Sequence, residues 1–384
     1  MTTNSNGDSV PFTLTAAGHQ GITTDASGSL LIKPCTQAEI DFYESAKSHP
    51  AFQAHMPLYM GSLTLNADPA IIAAATGKYI NSGPRAQTAL TPDTTLKPAD
   101  NAKAADSLES DSEKKVWQPS GGAKLTSNLS IVLSNATSGF HKPNILDLKL
   151  GSRLWDDDAP HAKRAKLDDV TNTTTSGPLG FRVAGMKVYV GNHDNTDALR
   201  EVNTTVENGY KTYDKWYGRS NIRTENVKNA FEAFLSSLDL PSELPIVATS
   251  SRVKRKLVLE RLHQEVSELE SVLEKEESRM YSASILMVYE GHPEALDEAL
   301  IRHEAEAHKA RTNQEIYEEN EDEDGENEHG EEEEEEEEKH KIHEVVMIDF
   351  AHAHWAPGQG PDENVLKGVR NIKEILGELL KDIS

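Results

Sequence analysis

Between Pro143 and Gly151 the chain reads Pro-Asn-Ile-Leu-Asp-Leu-Lys-Leu-Gly, an alternation that predicts a β-strand. In a strand successive side chains face opposite ways, so Asp147, Lys149 and Gly151 share one face while Leu146, Leu148 and Leu150 share the other. The leucine face predicts a packed side. The other face offers an acid, a base and a flexible glycine for chemistry, although a plain surface ion pair reads equally well from these residues alone.

At 384 residues the chain can hold one large or two modest domains around a buried core. Its 36% apolar and 6% aromatic content is lean, which predicts that part of it stays outside that core. No N-terminal stretch resembles a signal peptide. The longest apolar runs, Ile71 to Ala75 and Ser284 to Tyr289, fall short of the ~20 residues a membrane span needs, so a soluble protein without a membrane anchor is expected. The single cysteine, Cys35, excludes an internal disulfide framework and suits a reducing compartment, nucleus or cytoplasm. Net charge is −25, but residues 315–338 hold 17 Asp or Glu and no Lys or Arg, leaving −8 for the rest. That segment would repel phosphates, which argues against nucleic acid as a direct ligand. It suits basic nuclear proteins as partners.

Gly18-His-Gln-Gly21 and Ser27-Gly28 are turn chemistry, Ser29 to Lys33 reads as a strand, and Thr36 caps a helix with Ile40, Tyr43 and Ala46 on one side. Residues 81–123 lack large apolar side chains and read as a disordered surface insertion. Leu129 to Leu133 and the Pro143 strand are joined by polar Ser134 to Gly139, which reads as a hinge. The expected organisation is therefore an N-terminal lobe over 1–133, a hinge at 134–139 and a C-terminal lobe over 140–384. In the second lobe a short helix is expected over Asp156 to Lys166, with acids at its start and cations towards its end. Phe181 to Val190 reads as a strand, and Val227 to Leu238 and Ser251 to Ser278 as helices. The stripe Val258, Leu262, Val266, Leu269 and Leu273 reads as core in preference to a partner seam. Ser282 to Glu290 and Glu344 to Phe350 read as paired strands with an acidic insertion, about 312–341, extruded between them.

Two positions outside the Pro143 strand resemble parts of kinases. Asp349 ends an apolar strand, like the Asp that holds metal in many of them, and Lys33 ends an early strand ahead of an acidic helix, like their phosphate-binding Lys. The string Pro143-x-x-x-Asp147-x-Lys149-x-Gly151 then resembles the signature of the inositol polyphosphate kinase family. Further blocks match in order: Thr174 to Lys187, Tyr217-Gly-Arg-Ser220, Leu235-Ser-Ser-Leu238, Tyr281 to Leu286 and Ile348-Asp-Phe-Ala-His352. The resemblance runs from about Ala17 to the C-terminus, interrupted at 66–123 and 291–340. The short link between Gly151 and Gly180 is most similar to the family's multikinase branch, fungal members especially.

The resemblance implies an α+β, two-lobed kinase-like fold, with an N-terminal antiparallel sheet lobe, a larger α+β C-terminal lobe and the nucleotide in the cleft between them. It implies ATP and Mg²⁺ as cofactors and phosphorylation of inositol trisphosphate and tetrakisphosphate towards the pentakisphosphate, with phosphoinositide lipid as a further acceptor. The neighbouring alternative is the hexakisphosphate kinase branch, which makes pyrophosphates. A nuclear interaction protein working through its acidic segment is another alternative. Lys33 would hold inner phosphates of the nucleotide, with Ser134, Asn135 and Ala136 at the hinge, Asp349 on the metal and Lys149 on the moving phosphoryl group. Asp147 would orient the attacking hydroxyl and take its proton late, since an ordinary Asp has a pKa of about 3.9, far below an alcohol's. Lys149, Lys163, Lys166 and His352 would meet the acceptor phosphates, an inositol-binding helical segment being expected at about 156–176, with Arg164 and Arg182 near in sequence. Relatives usually carry an acidic hinge residue, whereas this chain has Ser134 and Asn135, so backbone groups of Ser134 and Ala136 would meet adenine.

Other signals stay bland. The histidines of the C-terminal third fit no zinc motif, and Arg252-Val-Lys-Arg-Lys256 reads as the solvated first turn of a helix, a nuclear localisation signal being left open. A monomer is expected, as no exposed apolar element demands a partner.

Overall fold

A computed structural model describes residues 9–16, 21–64, 127–191, 201–242, 250–319 and 341–383. The insertion at 81–123, turn residues 18–20 and most of the acidic stretch lie outside the described residues.

The first lobe is a five-stranded antiparallel sheet in the order β1-β2-β3-β5-β4. Its strands are β1 (Val10–Pro11), β2 (Thr23–Thr24), β3 (Leu30–Pro34), β4 (Tyr59–Thr64) and β5 (Leu129–Ser134). Helix α1 (Gln37–Ser45) starts where expected, because the Thr36 side chain accepts the Glu39 N–H and so satisfies one of the orphan donors of the first turn. It buries Glu39, Ile40, Phe42 and Tyr43. Phe42 stacks on Phe350 and Trp355, each at 4.9 Å between ring centroids, so α1 docks directly on the second lobe. The short helix α2 (Pro50–Gln53) follows.

The chain leaves the first sheet at Ser134 and enters the second at Pro143. That second sheet has six strands in the order β12-β11-β6-β7-β9-β8, all antiparallel. They are β6 (Pro143–Leu150), β7 (Phe181–Tyr189), β8 (Thr204–Glu207), β9 (Tyr210–Tyr213), β11 (Ser284–Glu290) and β12 (His343–Ile348). The expected strand from Pro143 is present, but as an interior strand it is buried on both faces, with Lys149 alone part-exposed. Gly151, expected to be flexible, is fixed instead. Its φ is +98°, its N–H donates to the Gly180 carbonyl, and a Cβ there would lie 2.7 Å from the Asn364 side chain.

Between β6 and β7 lie α3 (His161–Thr173) and α4 (Ser176–Leu179). The helix expected from Asp156 begins only at His161, because Pro160 occupies its N-cap; Asp156 to Asp158 form the turn before it. Then come α5 (Val227–Phe234), which tightens into a 3₁₀ turn over Leu235–Asp239, and α6 (Ser251–Leu273). Helix α6 stops five residues before Ser278, which begins β10 (Ser278–Met280), paired with β13 (Ala353–Trp355). Val258, Leu262, Val266, Leu269 and Leu273 are all buried in the main core, so that stripe is core. Helix α8 (Glu363–Ile383) packs beside α6, and α7 (Pro293–Glu319) runs past 312, where the insertion was expected to start.

The basic run at 252–256 is solvated only in part: Arg252 and Lys256 are exposed, but the run is also held to its neighbours. Lys254 is buried and bonds Asp297 of α7 at 2.8 Å, Arg255 bonds Glu232 at 2.7 Å and Asp239 at 2.8 Å, and Arg252 bonds the Ile383 carbonyl. Its charges knit α6 to its neighbours.

Candidate active site

Three neighbouring strands set the site through their register. Lys149 on β6 is opposite Ser284 on β11, which is opposite Ile348 on β12, so Asp349 leaves the sheet in line with Lys149. At Asp349 the backbone turns left-handed, φ +71°, a conformation costly for a non-glycine residue by about 1–3 kcal/mol. What holds it is charge: its Oδ1 accepts from Lys33 Nζ at 2.8 Å and its Oδ2 from Lys149 Nζ at 3.1 Å. Ser282, also left-handed at φ +61°, turns its carbonyl to accept from Lys149 Nζ at 2.9 Å.

Lys33 comes from the first lobe, at the end of β3, and also donates to Glu39 Oε1 of α1 at 2.8 Å. Burial works against its charge, but Asp349 and then Glu39 more than offset this and raise its pKa well above a lysine's usual value. Two lobes are thus joined through one carboxylate. Cys35, two residues on, is a buried thiol that burial pushes up to about 12, which removes it as a nucleophile.

Asp147 is 2% exposed and lines the same cleft as Lys33 and Asp349. A bulge after it in the β6–β7 pairing sets Lys149 opposite Arg182. Arg182 is buried and bonds Ser176 Oγ at 3.1 Å; burial and then nearby Arg219 lower its pKa to about 10, against the pull of Asp147. Arg182 therefore sits behind the Asp147–Lys149 pair, too deep to be a surface phosphate ligand.

The cleft is partly open to solvent, with a cavity volume of about 100 Å³, and much of its wall is apolar: Phe12, Leu14, Ile22, Leu31, Ile145 and Leu286 among them. Ser134, Asn135 and Ala136 line its hinge edge. Asn135 is a structural residue here: its amide donates to the Gly28 carbonyl, and its Oδ1 accepts from Thr137 N–H and Oγ–H. The Ser134 N–H already donates to the Leu58 carbonyl, and its Oγ accepts from the Leu58 N–H. Of the three, Ala136 is the one whose backbone makes no hydrogen bond among the described residues, which leaves it as the hinge group able to meet a base.

Lys163, Lys166 and His352 are outside that cleft lining. Lys163 is half-buried and Lys166 exposed, one turn apart on α3, and burial and then Lys166 lower the Lys163 pKa. His352 Nδ1 lies 2.5 Å from Asp156 Oδ2, tying the β12–β13 turn to the segment before α3. That segment is clamped further by Trp155, whose ring meets the guanidinium groups of Arg153 at 4.1 Å and Arg164 at 4.8 Å, while its Nε1 donates to Asp168. Arg164 is therefore a structural clamp. Sequence reasoning missed Trp155, Ser282, Tyr43 and the roof residues Phe12 and Leu14. Of these, Ser282 left a signal that could have been followed, since it lies within the matched block Tyr281 to Leu286.

The sequence model of the inositol polyphosphate kinase family matches residues 130–377. The chain belongs to the inositol polyphosphate kinase family. It is similar to the inositol polyphosphate multikinase of Saccharomyces cerevisiae, 34% identical over 380 residues, which cover 94% of this chain and 95% of that protein. Its likeness to inositol hexakisphosphate kinase 3 of Homo sapiens is lower and shorter, 27% over 260 residues, 65% of this chain and 51% of that one. Among solved structures, the S. cerevisiae multikinase in complex with ADP and Mn²⁺ superposes with a TM-score of 0.58 at 24% identity, over 92% of this chain and 100% of that one. The two-lobed kinase-like architecture expected for the family is the one observed.

Proposed function

We propose that the protein is an ATP-dependent inositol polyphosphate multikinase, phosphorylating inositol trisphosphate and tetrakisphosphate towards the pentakisphosphate. The observation that carries this is the meeting of Lys33, Lys149 and Asp349 from three strands beside Asp147, in a cleft whose far wall is apolar. Similarity along nearly the whole of a multikinase, against partial similarity to hexakisphosphate kinases, supports the first branch over the second.

Phosphoryl transfer needs positioning and charge neutralisation above all. The apolar walls and Ala136 would seat adenine, and Lys33 would bind the inner phosphates. Among the described residues no three His, Cys, Asp or Glu side chains converge, so the site fits a hard cation that takes one or two carboxylates here and its other ligands from phosphates. Asp349 would hold it, Mg²⁺ in our reading, and that ion would neutralise charge on the transferring group. Lys149, which bonds Asp349 and the Ser282 carbonyl here, would stabilise the γ-phosphoryl group. Asp147 would align the acceptor hydroxyl and receive its proton late, with the buried Arg182 guanidinium near enough to feel its charge. Lys163, Lys166 and His352 would complete the acceptor side, drawing phosphates that carry roughly −1.5 to −2 charges each.

We place the protein in the nucleus and cytoplasm as a monomer, with residues 315–338 serving basic nuclear proteins; a tagged copy lacking that segment should keep its kinase activity and lose those partners. The test of the activity is product mapping with inositol 1,4,5-trisphosphate, the hexakisphosphate and a phosphoinositide vesicle offered separately with ATP. Successive phosphorylation of the trisphosphate is expected. A diphosphate made from the hexakisphosphate in preference would favour the other branch.

A further inference from the structure

Tyr43 lies one turn after Glu39 on α1, is 2% exposed and lines the cleft beside Lys33 and Asp349. Packing fixes its ring, which stacks on Tyr59 at 5.6 Å and meets Phe350 edge-on at 5.3 Å. Its hydroxyl is buried and has no hydrogen-bond partner among the described residues. A lone buried hydroxyl destabilises a fold, and phenylalanine would fill the same space without that cost. The fold therefore keeps a donor that the empty protein does not use.

Position says what the donor is for. Lys33, Glu39 and Asp349 are the charged groups near enough to act on the hydroxyl electrostatically, and Lys33 and Asp349 line the same cleft as Tyr43. Burial and then Glu39 push its pKa up from the usual phenol value, so at neutral pH it keeps its proton and offers an O–H. A neutral phenol is a poor metal ligand and a good donor to an anionic oxygen.

We propose that Tyr43 Oη–H donates a hydrogen bond to a phosphate oxygen of the bound nucleotide, next to the oxygens held by Lys33, and that this ligand bond is why an orphaned hydroxyl persists in the core. This rests on the nucleotide reading of the cleft. The two ideas separate by calorimetric titration of ADP with Mg²⁺ into the wild type, Tyr43→Phe and Tyr59→Phe, with thermal melts of each protein free of nucleotide. The wild type should bind, Tyr43→Phe should bind about tenfold more weakly, and Tyr59→Phe should match the wild type. Nucleotide-free Tyr43→Phe should melt no lower than the wild type. Equal affinity for Tyr43→Phe and the wild type would overturn the bond while leaving the nucleotide site standing. So would a weakening in Tyr43→Phe that comes with a lower melting temperature, or that Tyr59→Phe shares. Failure of the wild type itself to bind would sink the nucleotide reading and this inference together.

Discussion

Lys33 and Lys149 on one side of the site, and Lys163 and Lys166 on the other, are the same residue type in two different electrostatic states. The first pair is mostly buried and shares one carboxylate, Asp349, with Glu39 adding a second to Lys33. In the second pair Lys166 acts on Lys163 as a repulsive neighbour and is itself exposed. The nucleotide side is assembled with its charge cancelled before any ligand arrives. On the proposed acceptor side Lys163 and Lys166 repel each other, a strain that a bound anion would relieve. A sequence shows four candidate phosphate-binding lysines; the fold separates them into a rigid clamp and a soft electrostatic funnel.

The largest effect should come from breaking the clamp. Asp349→Ala removes the group that both lysines share and the carboxylate proposed to hold the metal, so turnover should fall by roughly 10³-fold or more. The same change leaves two part-buried cations facing each other and should lower stability by about 2 kcal/mol, read by denaturant unfolding. Asp147→Asn keeps shape and packing but loses the anionic acceptor; kcat should drop about 10²–10⁴-fold with the KM for ATP nearly unchanged. An equal rise in that KM would place Asp147 on the nucleotide side and blur the comparison.

On the funnel side the effects should be smaller and salt-sensitive. Lys163→Ala and Lys166→Ala should each raise the acceptor KM by about three- to tenfold at low salt, with kcat close to wild type, and the difference should shrink as ionic strength rises. pH offers the subtlest separation. Lys163 has a pKa below the usual 10.5 and loses charge first on alkaline titration, whereas Lys33, raised above it, stays charged. From pH 9 towards 10.5 the acceptor KM should therefore climb while the nucleotide KM stays flat, measured by initial rates with the other substrate saturating.

The clamp was legible in the sequence because each member ends or interrupts an apolar strand: Lys33 at Leu-Leu-Ile, Asp147 and Lys149 among leucines, Asp349 after Val-Val-Met-Ile. Strand alternation is local and survives in one dimension. The errors arose where distant residues decide. Lys254 looked solvated because its partner Asp297 is 43 positions away, and α6 looked longer because nothing local announces the pairing of Ser278 with Trp355. The Arg153–Trp155–Arg164 clamp and the roof of Phe12 and Leu14 are tertiary contacts with no periodicity to betray them. At the hinge, the sequence does not show that Gly28 and Thr137 occupy the Asn135 side chain, although Asn135 lines the cleft as expected.

The central claim is a division of labour, with Asp349 serving the nucleotide and its metal and Asp147 serving the acceptor hydroxyl. Calorimetric titration of ATP with Mg²⁺ into Asp147→Asn and Asp349→Asn tests it most directly. Asp147→Asn should bind the nucleotide as the wild type does while making almost no product, and Asp349→Asn should bind it at least tenfold more weakly. Matching affinities in the two variants, or the reverse order, would contradict the account.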